Sequence, residues 1–548
     1  MRPLAYSVLL LLACARMPLT SVGALVQKNR PVRPNFIFIY ADDLGYGDLG
    51  CYGHPIVKTP NLDQLAQQGT LFTQYYDSHS VCSPTRASFI TGHYPSRHRI
   101  FRHLADIDSN ARDGMPNWLD VRAPSLPRAL QKAGYRTAMF GKWHLGGGSG
   151  SPFSAVVELN SMEEGPKKLA NTYHPDAPPV TAYGFDVART VHGNSPTWYN
   201  AQPHPEPHQV HYYNDKGWRT WSSKAIADAA IEFLEDNSKS LKHQPFLMNA
   251  WLTDPHTPME PTAEMRQPYQ AAPEPAQTHY AMITFMDQQM GRLLKRLKEL
   301  GLEKNTLVIF SSDNGAPEGR GGSNGSLRGW KWSLYEGGIR VPFIVRWPGR
   351  VPAGKTNTEA VLNIVDLAST FCRLAGASMP KGYEADGVDF SAALLGRRFK
   401  RNKPMMWHHP LAGPYSQELA VRDGQWKLLM NPDGRNLEVY NLAEDLSESN
   451  NVAAKHPEVT ARLRNALINW YRTIPHPHPK EEVKPKKTGF GPSGFAQTVR
   501  SNLRFARSPI RLPKKPSADE RGNRPHELTS SEPRVAFGRL PSMNDLSK

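Results

Sequence analysis

Thiols are scarce in this chain: its 548 residues carry four cysteines, Cys14, Cys51, Cys82 and Cys372. So few and so scattered a set excludes the disulfide-stapled class of small secreted domains. If Cys82 has a task of its own, Cys51 and Cys372 are left free to pair, although a buried unpaired thiol is the expected state of each. Long apolar runs are also lacking. The run from Leu4 to Ala15 follows Met1-Arg2-Pro3, precedes small residues at Val22-Gly23-Ala24, and is too short to span a bilayer. It reads as a signal peptide over residues 1–24. With no later segment of membrane length, the expectation is an exported, periplasmic or secreted product without a transmembrane segment. A lipoprotein site at Leu11-Leu12-Ala13-Cys14 is the competing reading, which Leu12 fits poorly.

Acidic residues are outnumbered, 50 against 66 Lys and Arg, for a net charge of +16. The excess is uneven: from His476 to Lys548 seven Lys and eight Arg face seven Asp and Glu, which supplies half of it. Rich in Pro, Ser and Gly, this stretch (476–548) reads as a weakly folded, basic tail that could contact a polyanion. Nucleic acid is not an expected partner of an exported chain.

What is abundant is apolar material for a large core, 39% of the residues. It is arranged in runs that stop at polar residues. Asn35 to Ala41 stops at Asp42-Asp43, and Leu307 to Ser312 at Asp313-Asn314-Gly315. Pro245 to Leu252 runs into Asp254-Pro255-His256, and Arg136 to Phe140 into Gly141-Lys142-Trp143-His144. Continuous apolar strands require a sheet covered on both faces. Helical patterns lie between them at Leu62–Gln68, Ser125–Ala133, Ser222–Asn237, Thr278–Leu300 and Glu359–Ala375. The fold class is therefore α/β, a large mixed, mostly parallel sheet covered by helices on both faces over residues 34–395. After Gly396 short strands at Glu418–Val421, Trp426–Met430 and Leu437–Tyr440, with turns at Asp423-Gly424 and Asp433-Gly434 and a helix at Glu458–Thr473, predict a C-terminal α+β subdomain on a short antiparallel sheet (396–475). Ser149–Pro179 and His204–Tyr213 have no period and read as long loops over the strand ends.

Ligands of open α/β sheets sit beyond the carboxyl ends of the strands, so one crevice is expected to collect Asp42, Asp43, Lys142, His144, His256, Asp313 and Asn314. Three carboxylates packed together repel or take up protons unless a cation intervenes. All-oxygen donors favour Ca²⁺ or Mg²⁺. The bland alternative is that these Asp residues only turn the chain or cap helices. Val81-Cys82-Ser83-Pro84-Thr85-Arg86 looks like the start of a helix, where free N–H groups and Arg86 would favour a tetrahedral oxyanion near Cys82.

These segments carry a resemblance. "PNFIFIYADDLGYGDLGCYG", "CSPTRASFITGHYPSRH", "GYRTAMFGKWHLG", "DPHTP", "FSSDNG" and "GSLRGWKWSLYEGGIRVP" follow one another as in the formylglycine-dependent sulfatase family, over Pro34 to about Thr473. The chain resembles that family, whose fold is alkaline phosphatase-like. The resemblance implies that Cys82 is oxidised to Cα-formylglycine by a formylglycine-generating enzyme during export. The hydrated aldehyde then offers one hydroxyl to attack sulfur and a second whose deprotonation expels sulfate. It further implies that Asp42, Asp43, Asp313, Asn314 and the modified Cys82 bind one Ca²⁺, or Mg²⁺. Arg86 would hold the diol, Lys142 and Lys331 the sulfate oxygens, His144 would assist proton removal, and His256 would protonate or orient the leaving oxygen. Trp330 and Trp332 flank Lys331 where many members have smaller residues, so the local loop shape departs from the pattern.

The expected function is a sulfuric ester hydrolase acting on a sulfated saccharide or small molecule. Carbohydrate follows from export, from 12 Trp and 20 Tyr available for stacking, and from family habit. Two other readings stand beside it: a phosphate or phosphonate ester hydrolase on the same scaffold, and a non-catalytic binder of sulfated glycan with unmodified Cys82.

Overall fold

The computed structural model describes residues 33–146, 177–191, 199–200, 218–239 and 244–477. The signal peptide expected over residues 1–24, the tail from 478 onward and nearly all of the two expected loops lie outside them. In chain order the first strands are β1 (Asn35–Ala41), β2 (Thr70–Phe72), β3 (Tyr75–Tyr76), β4 (Arg136–Lys142), β5 (Val187–Val191) and β6 (Tyr199–Asn200). They are followed by β7 (Phe246–Trp251), β8 (Thr306–Ser312), β9 (Phe343–Arg346), β10 (Lys355–Asn357) and β11 (Leu362–Asn363). Nine of these form one mixed sheet in the order β10-β2-β9-β8-β1-β7-β4-β5-β6. Its centre, β8-β1-β7-β4-β5, is parallel throughout.

Both faces of that centre are buried, which is why its strands are apolar without interruption. Along β1, Phe36, Phe38 and Tyr40 point into one core layer, and Ile37, Ile39 and Ala41 into the other. Helices Cys82–Thr91, Leu126–Lys132 and Asp366–Ala375 cover the first layer, with Phe36 stacked on Phe371 at 4.4 Å and Phe38 on Phe89 at 4.7 Å between ring centroids. Helices Pro60–Gln67, Trp218–Lys239 and Ala276–Glu299 cover the second, the last through Ile283, Met286, Met290 and Leu293. The Met and Leu stripe of that helix is core packing. Ser125 caps its helix, its hydroxyl accepting from the Arg128 N–H at 3.3 Å. Cys51, half-buried, and Cys372, buried, are unpaired.

One expected helix is half wrong. Glu359–Ala375 is helical only over Asp366–Ala375, because Leu362 and Asn363 pair in parallel with Tyr75 and Tyr76 as β11 against β3. The Asp366 carboxylate accepts the Asn363 N–H at 2.7 Å and marks where the strand gives way to the helix.

Residues from 405 onward build β12 (Met405–His408), β13 (Leu419–Asp423), β14 (Trp426–Met430) and β15 (Glu438–Asn441), an antiparallel sheet in sequence order. Helix Pro457–Tyr471 packs on it through Leu463 and Leu467. A charge cluster fastens this small sheet to the segment that leads into β9 and to β3. Lys427 on β14, fully buried, lies 2.9 Å from Glu336 and 2.9 Å from Glu448. Glu336 also accepts from the Tyr76 hydroxyl at 2.5 Å and faces Arg340 at 3.2 Å. Burial and repulsion from Glu336 push the Glu448 carboxyl up to about 7, whereas Lys427, Arg340 and Arg422 hold Glu336 down to about 2 against the same burial. Lys427→Met strands two carboxylates with their central cation gone, and is expected to cost about 3–5 kcal/mol, read as a lowered denaturant midpoint and Tm.

Candidate active site

Strand ends deliver most of the site. β1 and β8 run in parallel register with Ala41 opposite Ser312, so the residues that follow, Asp42-Asp43 and Asp313-Asn314, emerge side by side. The Asp43 N–H donates to Asp313 Oδ1 at 3.2 Å, and Asn314 Nδ2 to Asp43 Oδ1 at 2.7 Å. All four are buried. Lys142 closes β4 and reaches Asp42 Oδ2 at 2.5 Å. Cys82 opens the helix Cys82–Thr91 with Val81 as its N-cap, and its thiol donates to Asp42 Oδ1 at 3.6 Å. One turn later Arg86 donates from Nε (3.1 Å) and Nη2 (2.6 Å) to Asp313 Oδ2, and from Nη1 to the Lys142 carbonyl at 2.7 Å. Its guanidinium carbon lies 5.6 Å from the Tyr40 ring centre and 5.2 Å from that of Trp251, so aromatic faces replace water around a fully buried cation.

The remaining parts come from loops. Gly315 donates its N–H to the Gly338 carbonyl at 3.0 Å, and a Cβ there would stand 1.8 Å from the Gly337 oxygen. Only glycine lets the segment after β8 approach the 329–338 loop so closely. The same pairing continues as Lys331 N–H to the Ala316 carbonyl, 3.0 Å, and places Lys331 Nζ 2.6 Å from Asp43 Oδ1. His256 follows β7, with Nε2 3.5 Å from Asp43 Oδ2 and Nδ1 donating to the Thr257 carbonyl at 2.5 Å. His144 sits two residues past β4 with φ 52°, Asp43 has φ 66° and Trp332 has φ 80°. Three non-glycine residues in the left-handed region at one site mark backbone held against its preference.

Asp42, Asp43, Cys82 and His256 each place a ligand atom within 4.8 Å of the others. Asp313 stands beside this group, shared between Arg86 and the Asp43 backbone. Burial pushes the Asp313 carboxyl up to about 6, helped by Asp42, while the His256, Lys331 and Lys142 side chains hold Asp43 well below the usual carboxylate range in spite of burial. Lys331 is lifted above the ordinary ammonium value, because Asp43 and Asp42 overcome its desolvation. Burial lowers His256 to about 3 although Asp43 opposes it. Burial also raises Cys82 to about 12 although Lys142 and Lys331 oppose it. As a thiol, residue 82 is therefore protonated and a poor nucleophile.

Two further residues carry the site without having been singled out from sequence. The Asp254 carbonyl accepts the Asp42 N–H at 3.0 Å, and its carboxylate is held by the Ser222 and Ser223 hydroxyls. It lies in "DPHTP", so the motif itself was the available signal. His103, in a stretch without any motif, has its ring 5.4 Å from Trp332 and 6.2 Å from His144.

The profile of the family described as Sulfatase matches residues 34–377, and that described as N-sulphoglucosamine sulphohydrolase, C-terminal, matches 328–472. An N-acetylgalactosamine-6-O-sulfatase of Bacteroides thetaiotaomicron is 30% identical over 82% of this chain and 96% of its own length. Human arylsulfatase A is 32% identical over 75% of this chain and 77% of its own. The crystal structure of Ps i-CgsB in complex with k-i-k-neocarrahexaose superposes with a TM-score of 0.66 at 25% identity, over 86% of this chain and 99% of that one. With the acidic strand ends, the C-x-P-x-R helix start and the two site lysines assembled in one pocket, the chain belongs to the sulfatase family of sulfuric ester hydrolases.

Proposed function

We propose that this sulfatase removes sulfate esters from a sulfated carbohydrate, using residue 82 as Cα-formylglycine and one Ca²⁺ or Mg²⁺. The observation that carries this is the convergence of buried carboxylates on residue 82 where it opens the C-x-P-x-R helix, with two buried lysines paired to the same carboxylates. The donor set suits a hard cation: carboxylates of Asp42, Asp43 and Asp313, residue 82, and Asn314, whose Oδ1 is buried with no hydrogen-bond partner. When bound, the cation supplies a centre that acidifies an oxygen nucleophile and polarises sulfate oxygens. As a hydrated aldehyde, residue 82 would offer two geminal hydroxyls: one whose oxygen displaces the alcohol at sulfur, and one whose proton is lost as sulfate leaves and the aldehyde re-forms.

The chain's own groups then have defined tasks. Arg86, pinned by Asp313 and the Lys142 carbonyl, fixes the helix start that bears residue 82. Lys142 and Lys331 Nζ hold sulfate oxygens and balance charge that develops as the ester bond breaks. His144 receives a proton in the release step. His256, its Nδ1 proton committed to Thr257, orients the leaving oxygen through Nε2. A saccharide is supported by the bacterial relative named for N-acetylgalactosamine 6-sulfate and by the neocarrahexaose in the related crystal structure. On this reading residues 34–395 are the catalytic domain and 396–475 the C-terminal subdomain. The chain is exported behind residues 1–24, matured by a formylglycine-generating enzyme, and free to touch polyanions through its basic tail.

Release of inorganic sulfate from a panel of sulfated saccharides tests the activity. Cys82→Ala should lower kcat by about 10³-fold or more with the fold intact. A matched phosphate ester turned over faster than its sulfate counterpart would favour the phosphohydrolase reading instead. Calcium titration tests the cation site: a hundredfold excess over Kd contributes about 2.7 kcal/mol of stability. Tm should rise with Ca²⁺ in the parent and stay fixed in Asp43→Asn, as measured by calorimetry.

A further inference from the structure

Trp332 is the most strained aromatic residue of the site and has no part in the chemistry above. A tryptophan at φ 80° is a backbone outlier that glycine would occupy at no steric cost, yet the loop keeps the indole there. The surroundings hold it firmly. Its backbone N–H donates to the Ser80 carbonyl at 3.1 Å, two residues before Cys82. His409, one residue past β12, lies nearly parallel to the indole, 24° between planes and 5.8 Å between centroids. Behind His409 stand His79, 4.3 Å away, and the Ser80 hydroxyl at 3.3 Å from Nδ1. On the side of the catalytic residues His103 meets the indole edge-on at 5.4 Å and continues to His144 at 6.2 Å. Trp332 itself remains half-buried, and so does His103.

We propose that Trp332 and His103 form a saccharide-binding subsite, with the indole as a stacking platform for the apolar face of the sugar ring that bears the sulfate. The inference rests on the sulfatase reading, since it takes Lys331 as a sulfate contact. Three observations converge on it. The indole touches His103, whose ring lies 6.2 Å from that of His144, so the platform borders the pocket in which Lys331 meets Asp43. A rigid aromatic surface beside a few directed polar groups is how ligand pockets combine affinity with orientation. His103 is that polar group. Burial, with Arg102, Lys331, Lys142 and His256 adding to it, lowers its imidazole to about 3, so it is neutral and offers one donor and one acceptor to ring hydroxyls. His409 backs the platform from the C-terminal sheet, which gives that sheet a share in substrate choice.

The test uses the full chain carrying Cys82→Ala, which binds without turnover. Calorimetric titration with N-acetylgalactosamine 6-sulfate, N-acetylglucosamine 6-sulfate, k-i-k-neocarrahexaose and inorganic sulfate gives four Kd values. Trp332→Gly suits the left-handed backbone, and its Tm reports that the fold is kept. It should weaken the best saccharide by about tenfold or more, change inorganic sulfate by less than about twofold, and be largely rescued in Trp332→Phe. Unchanged saccharide affinity in Trp332→Gly overturns the proposal. So does equal loss of saccharide and inorganic sulfate, which would mean a displaced Lys331, and so does a parent that binds no saccharide more tightly than inorganic sulfate. Selective loss in Trp332→Gly alongside a mature parent that cleaves no sulfate ester would support the subsite and sink the hydrolase reading.

Discussion

Three carboxylates buried at the ends of two neighbouring strands would drive one another to protonate, and the three cations packed among them are what allow that arrangement. Arg86 takes Asp313, Lys142 takes Asp42 and Lys331 takes Asp43. Each cation arrives from a different element: the helix that residue 82 opens, strand β4, and the loop closed by Gly315 against Gly338. Charge neutrality therefore ties the position of residue 82 to the topology of the whole sheet. Displacing any one of these elements removes the cation paired with one buried carboxylate, which is why the site and the fold cannot vary independently.

Much of this was legible beforehand because parallel strands buried on both faces have to be apolar, and their polar ends then stand out. The run Asn35 to Ala41 predicts β1 to the residue, and the places where four runs stop name Asp42, Asp43, Lys142, His256, Asp313 and Asn314. Period failed where a strand and a helix follow one another without a break. Leu362 to Val365 continues the apolar spacing of the helix after it, and only the pairing with Tyr75 and Tyr76 reveals a strand. β12 was missed for a related reason: Met405, Met406 and Trp407 are covered on both sides and show no alternation. His103 could not be found at all, since its importance lies in what it touches and no local spacing expresses that. Trp332 was visible as an oddity whose meaning needed the left-handed backbone and the histidines around it.

The small antiparallel sheet is more than an appendage. Through Lys427 it neutralises Glu336, which begins the turn that follows the Lys331 loop, and through His409 it supports Trp332. The family profile for the C-terminal region begins at residue 328, ahead of both, so the loop that carries Lys331 is shared between the two matched regions. Stability of the sheet and geometry of Lys331 are accordingly one problem, with the buried cluster around Lys427 as the joint.

Turnover depends on the chemical form of residue 82, whose side chain faces the Asp42 carboxylate. Mass analysis of the peptide spanning that residue, taken from exported and catalytically active protein and denatured before labelling, addresses it directly. The account predicts that sulfur is replaced by an aldehyde oxygen that reacts with hydrazide, in a fraction that rises with specific activity. Full sulfate ester turnover by protein whose residue 82 remains an alkylatable thiol would contradict it.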